Sequence, residues 1–174
     1  MDSFKPLTLI DQGIIKPYLA KAGKAASEYS FATLFMWSGI YHTDFSVFSS
    51  LGDELLLIRS HRNLAEPFHY LYPMSLHGPV AAGTAVEILS AFSKDAPFSV
   101  GVLSAEEAGP LAAREPAHVE VQSFRDTFDY IYNASDLALL TGKKFQAKRN
   151  HLNSFLNEYR EFEARQIRLE DIPA

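Results

Sequence analysis

The chain has 174 residues, 47% of them hydrophobic, with 13 Phe, 8 Tyr and no Cys. That is enough to bury a core unaided, and it excludes disulfides, thiolate nucleophiles and cysteine-based zinc sites. The net charge of −5 divides into 9 Lys/Arg against 16 Asp/Glu over residues 1–140, 5 against 1 over 141–160 and 2 against 4 over 161–174; the acidic body does not suit broad nucleic-acid binding, and an anion contact is expected only in the short basic block.

Residues 4–10 alternate apolar and polar around Pro6 and predict a short edge strand. Asp11 offers an N-cap for a helix to about Lys24, which Pro17, lying past the first turn, should kink or divide. Ser30 caps a second helix, Phe31 to Ile40. It is apolar almost all round and is therefore expected to be buried. Thr43 to Ser49 and Leu55 to Ser60 read as two strands joined by a hairpin turn over residues 51–54. The run from Leu55 to Ile58 suggests burial on both faces. Phe68 to Tyr72 is a third strand, ended by Pro73.

After His77-Gly78-Pro79 comes a helix, about Ala81 to Ser93, with Val86, Leu89 and Phe92 on one stripe. A strand follows from Phe98 to Leu103. Ser104 then caps a helix whose first turn carries Glu106 and Glu107, as the helix dipole favours, and which Gly109-Pro110 weakens. Val119 to Ser123 and Phe128 to Tyr132 read as two strands around a turn or bulge at residues 124–127. Ser135-Asp136-Leu137 opens a short helix, broken at Thr141-Gly142. A longer helix runs from Lys143 to about Arg160, and a last strand is expected over Glu163 to Ile167. No repeat or low-complexity linker interrupts this order.

The order of elements is that of GNAT acyltransferases. The local pattern is more specific. Phe128-Asp129-Tyr130-Ile131-Tyr132, Asp136-Leu137, Leu140, Gly142-Lys143-Lys144-Phe145 and residues 148–153, together with Ser30 to Trp37, resemble a bacterial family related to the C-terminal domain of phosphatidylglycerol lysyltransferases. Its members are built from two GNAT-like domains in tandem. The resemblance implies an α/β, GNAT-like domain over residues 1–140, with a mixed, mostly antiparallel sheet flanked by helices. Residues 141–174 would be the helix-strand start of a second such domain. It further implies that a C-terminal half should follow, and that the chain breaks off where that half begins.

Acyl-CoA-using GNAT enzymes hold the pyrophosphate on backbone N–H groups at a strand-to-helix turn with the pattern Gln/Arg-x-x-Gly-x-Gly/Ala, because a helix N-terminus offers free donors and a favourable dipole. The corresponding turn here, Leu76 to Thr84, contains Gly78 and Gly83. It lacks the Gln/Arg start, and Pro79 removes a donor. A phosphate cradle and a structural turn both remain open.

On the basic helix, Phe145, Leu152, Leu156 and Tyr159 share a stripe that Lys148 and Arg149 flank. Lys148, Arg149 and Asn150 are the candidate contacts to a phosphate, a CoA tail or a tRNA backbone. The alternative is basic stems snorkelling along an apolar stripe. The six His residues show no compact metal-ligand spacing, so no metal site is expected. No Gly-x-Ser-x-Gly elbow is present, which leaves a Ser-His-Asp triad without a sequence signal. Trp37, Phe31 and Phe35 suit a core, or the lining of an acyl pocket. Tyr130 and Tyr132 share a strand face that could stack a base or simply be half wet.

No bound cofactor is expected for the chain itself. Acyl-CoA or aminoacyl-tRNA is the donor implied for the longer protein. The expected partners are the missing GNAT-like half and a second copy docked through the 143–160 helix. The N-terminus lacks a signal-peptide pattern, and no stretch is long and apolar enough to span a membrane, so a soluble, cytoplasmic protein is expected.

Overall fold

A long antiparallel hairpin with a two-residue edge strand beside it sets the frame. The computed structural model describes residues 3–50, 52–63, 65–94, 96–114, 119–125 and 128–171. β1 (Lys5–Pro6), β2 (Asp44–Ser50) and β3 (Asp53–Ser60) pair antiparallel in turn. The β2–β3 turn includes Gly52 at φ 84°, a left-handed position that glycine takes without cost; Leu51 lies outside the described residues. β3 then carries two short antiparallel partners, β4 (His69–Leu71) opposite Arg59–Ser60 and β5 (Met74–Ser75) opposite Leu55–Leu56. The sequence predicts the first of these, ended by Pro73, which has no N–H for the ladder; β5 beyond it is not predicted. β6 (Ser99–Gly101) adds parallel to β4, giving the order β1-β2-β3-β4-β6 with β5 on β3. The sheet is mixed and mostly antiparallel, as the sequence predicts.

Both faces of the sheet are covered, and β3 shows why its sequence has no alternation. Leu56 and Ile58 pack with Ile15, Tyr18, Leu19, Tyr29 and Phe31 on one side; Leu55 and Leu57 pack with Tyr70, Ile88 and Leu89 on the other. The first group comes largely from α1 (Gln12–Ala22), the turn Ser27–Tyr29 and α2 (Phe31–Tyr41). In the second, Tyr70 belongs to β4, and Ile88 and Leu89 come from α3 (Ala82–Ser93), which lies between the parallel pair β4 and β6. α4 (Ala105–Arg114) adds Leu111 against Tyr72 and Ala85.

Several expectations need correction. α1 runs through Pro17 without division. The ring deprives the Gly13 carbonyl of its helical donor, but Gly13 and Pro17 both lie on the exposed face, where water replaces that bond. Asp11 takes the N-cap position of α1, as expected, but its side chain makes no capping bond there. Its buried carboxylate instead accepts from the Thr8 backbone N–H (3.0 Å) and hydroxyl (2.6 Å) and pairs with Lys5 Nζ (2.8 Å). α4 likewise continues through Gly109-Pro110.

α2 is not buried. Phe31 is in the core, but Met36 is 70%, Trp37 46% and Ile40 55% exposed. A helix laid on one side of a sheet buries one stripe, whatever the composition of the rest. The strands expected over Val119–Ser123, Phe128–Tyr132 and Glu163–Ile167 do not form among the described residues. β propensity becomes a strand only where a ladder partner is present, and Tyr130 and Ile131 stand 88% and 91% exposed. Asp126, Thr127 and His118 lie outside the described residues.

The chain divides into two compact units, residues 1–129 and 130–174. All elements up to α4 belong to the first. The second holds α5 (Ala134–Leu139), a 3-10 turn at Lys143–Phe145 and α6 (Gln146–Glu158). Leu140 closes α5 in the left-handed conformation and Gly142 adds φ 86°, which is the break expected at Thr141-Gly142. Among the described residues no helix is long and apolar enough to cross a membrane.

Candidate functional site

The first unit carries an open cleft of about 400 Å³ where β5 turns into α3. Ser50, Asp53 and Leu55 come from the β2–β3 hairpin. Ser75, His77, Gly78, Pro79, Val80, Ala81 and Thr84 complete the lining. The turn is held from below, where the Tyr72 hydroxyl donates to the Val80 carbonyl at 2.9 Å. Burial, with the Glu107 carboxylate adding to it, pushes the Tyr72 phenol up, so it stays protonated as a donor. Gly78 sits at φ 152°, a conformation nearly reserved for glycine.

Three polar side chains meet at one wall. Ser75, only 5% exposed, donates its hydroxyl proton to Asp53 Oδ2 at 2.5 Å and accepts from the His77 backbone N–H at 2.9 Å. The exposed His77 ring places Nε2 3.5 Å from Asp53 Oδ1. The residue types are those of a nucleophilic triad, but the wiring is not. A triad serine gives its proton to the imidazole. Here it goes to the carboxylate, and the imidazole faces the carboxylate from solvent. The arrangement fastens β5 and its turn to the β2–β3 hairpin.

The N-terminus of α3 opens beside this wall. Its N-cap is Ala81, no side chain caps it, and its first turn holds no acid. The first regular bond is from the Ala85 N–H to the Ala81 carbonyl, so the amides of Ala82, Gly83 and Thr84 lack helical acceptors. Of the predicted cradle residues, Gly78 lines the cleft and Gly83 is the second residue of α3. The Asp53 carboxylate in the same cleft opposes an anion.

The predicted basic contacts belong to the second unit and have local partners. Arg149 Nη1 donates to the carbonyl of Leu140 and, at 2.8 Å, to that of Gly142, which closes the end of α5. Lys148 Nζ lies 5.2 Å from the centre of the Tyr132 ring. Lys144 pairs with Asp136 at 3.1 Å. Asn150 is exposed. Phe145 is buried, whereas Leu152, Leu156 and Tyr159 from the same stripe are 42–52% exposed. Among the described residues no group of three or more His, Asp and Glu gathers as a metal cage.

The family model for "Phosphatidylglycerol lysyltransferase, C-terminal" matches residues 20–173. The chain belongs to this family. The match takes in both the β4–α3–β6 unit with its cleft and the basic helix. A solved structure, a conserved protein of unknown function from Bacteroides thetaiotaomicron VPI-5482, is similar at 32% identity with a TM-score of 0.73. The similarity covers 94% of this chain and 53% of that one, so this family member spans about half the length of its solved relative. No curated protein matches the chain.

Sequence reasoning found the turn but missed Asp53, Ser75 and His77 as a group. The Ser75-x-His77 spacing is local, but nothing in sequence links it to Asp53. Only the β3–β5 pairing brings them together.

Proposed function

We propose that this chain is the N-terminal, supporting half of a two-domain acyl- or aminoacyl-transferase, with a GNAT-like fold and no transfer activity of its own. The family match over residues 20–173 carries this reading. The fold is in keeping with it, an antiparallel sheet with one parallel pair joined by a helix, β4–α3–β6. An acyl-CoA or aminoacyl-tRNA donor would present phosphate to the free amides of α3. Acyl transfer also needs a base and an oxyanion donor, and Ser75 and His77 are not arranged to supply either.

The test is a thermal-shift titration with acetyl-CoA, longer acyl-CoAs and aminoacyl-tRNA, alongside a turnover assay. A ligand at about 100 times its Kd adds about 2.7 kcal/mol to the folded state. The expected result is no acyl transfer from acetyl-CoA above a no-protein control. Turnover that disappears on mutation of the 77–84 turn would refute it.

A second reading, a degenerate GNAT-like binding module, draws on the Asp53 carboxylate in the cleft, which disfavours phosphate. A neutral or cationic ligand giving the shift, with none from any CoA ester, would favour it. In either reading the exposed α6 stripe of Leu152, Phe155, Leu156 and Tyr159 is proposed to seat a second copy of the chain, because several large wet apolar side chains are unfavourable.

A further inference from the structure

The outer face of α2, in the first unit, is apolar over more than half the helix circumference. At about 100° per residue, Met36 stands at its centre and is 70% exposed, with Ala32 one turn before it and Ile40 one turn after. Phe35, 38% exposed, and Trp37, 46% exposed, bound the face on its two sides. Phe31, Leu34, Ser38 and Tyr41 point the other way and are buried or half-buried. Both bounding rings are held by their own helix. Phe35 stacks on the buried Phe31, with centroids 6.2 Å apart and planes 5° from parallel, and Trp37 leans on Tyr41 at 5.8 Å. A contact made here would therefore spend little on ordering side chains.

Single exposed apolar residues need no explanation, but four large ones on one arc form a patch. With about 200 Å² for a large side chain, the four leave roughly 400 Å² of apolar surface wet on each copy. A symmetric contact that also takes in the small residues beside them would bury about 1,000 Å² in all, the lower bound for a specific interface.

The order of residues says what fits. A two-fold axis through Met36, perpendicular to the helix, sets each residue that follows Met36 over the one equally far before it in the other copy. Ile40 then lies over Ala32, Thr33 over Gly39, and Phe35 against Trp37, while Met36 meets itself on the axis. Large side chains face small ones, and ring faces ring. Gly39 has no atom within 4 Å of where a β-carbon would stand, so the space for Thr33 is open. A two-fold also brings like charges together near the axis, and α2 contains no charged residue.

We propose that the outer face of α2 is a homodimer contact, in which two copies of this chain cross their α2 helices about a two-fold axis at Met36. The contact is separate from that of the α6 stripe and does not depend on the transfer reading.

The test is run in Leu156→Glu, so that α6 does not contribute. Trp37 is the sole tryptophan and reports the contact directly. As concentration rises through the micromolar range, its emission should move to shorter wavelength and acrylamide quenching should fall, while light scattering passes from one copy to two. Adding Ala32→Glu should keep Trp37 wet and the chain as one copy. Ala32 is exposed in the first turn of α2, where a carboxylate favours the helix dipole, so the variant keeps its fold. One copy at every concentration, or a dimer that Ala32→Glu leaves intact, overturns the proposal. The chain has no cysteine, which allows a second measurement. Met36→Cys places one thiol on the axis, where crossed helices bring the two backbones within disulfide reach. In a glutathione redox buffer it should cross-link about tenfold faster than Val121→Cys, a position 57% exposed. Equal rates for the two sink the idea.

Discussion

Replacing Ser75 by Ala tests whether the Asp53–Ser75–His77 group is a structural fastening. The substitution removes one bond to a carboxylate at 2.5 Å and one from a backbone N–H at 2.9 Å. A hydrogen bond to a charged group contributes about 1.5–3 kcal/mol and a neutral one about 1 kcal/mol. Set against that, the Asp53 side chain is 28% exposed on an open cleft, where water replaces part of what is lost. The net expectation is a loss of about 2 kcal/mol. With a urea m-value of about 1–3 kcal/mol/M, the midpoint should fall by roughly 1 M. Trp37 is the sole tryptophan and lies in the first unit, so its fluorescence follows that unit. Ser50→Ala is the control, because it removes a cleft hydroxyl that bonds no described side chain. A midpoint unchanged within error, or an equal drop for Ser50→Ala, would refute the fastening and reopen Ser75 as a group free to react.

Three further outcomes are expected. Asp11 has its pKa lowered because the hydrogen bonds and charge from Lys5 and Thr8 outweigh the burial that raises it. Its stabilisation is therefore full above the unfolded carboxyl value of about 3.9 and lost as pH falls through the lower folded value. Asp11→Asn should cost about 2 kcal/mol at neutral pH and flatten the acid limb of stability below about pH 4; an unchanged acid limb in urea titrations refutes this. Arg149→Ala should leave the first unit's urea midpoint alone but speed amide hydrogen exchange over residues 134–146, since two carbonyls at the end of α5 lose their donor. Protection equal to the parent would mean that Arg149 is free for an external anion after all. Leu156→Glu should dissociate a dimer built on α6, read by light scattering, without altering the far-ultraviolet spectrum of the first unit. A parent chain that is monomeric at all concentrations refutes the dimer.

Much of the sheet was legible in the chain because its strands carry their own signals. The four consecutive apolar residues Leu55 to Ile58 announce burial on both faces, and Gly52 announces the hairpin. The 3.6-residue stripe of α3 and the break at Thr141-Gly142 are equally local. Family membership could also be read, since the pattern over residues 128–153 is a property of sequence alone. What failed were inferences that need a neighbour. Phe128 to Tyr132 has the composition of a strand and no ladder to join. α2 has the composition of a buried helix and only one side against the sheet. For Lys148 and Arg149 the structure adds local partners that sequence does not show, a tyrosine ring and two carbonyls.

Sequence by itself therefore determined the elements whose cause is local: periodicity, turn chemistry and the apolar run that makes β3 central. Tertiary structure alone decided which polar groups meet, because Asp53 and Ser75 are joined only by the pairing of β3 with β5, and Lys24 and Glu107 only where the chain after α1 meets the first turn of α4. A side chain's chemistry depends on what stands within a few ångströms of it, and separation along the chain carries no record of that distance.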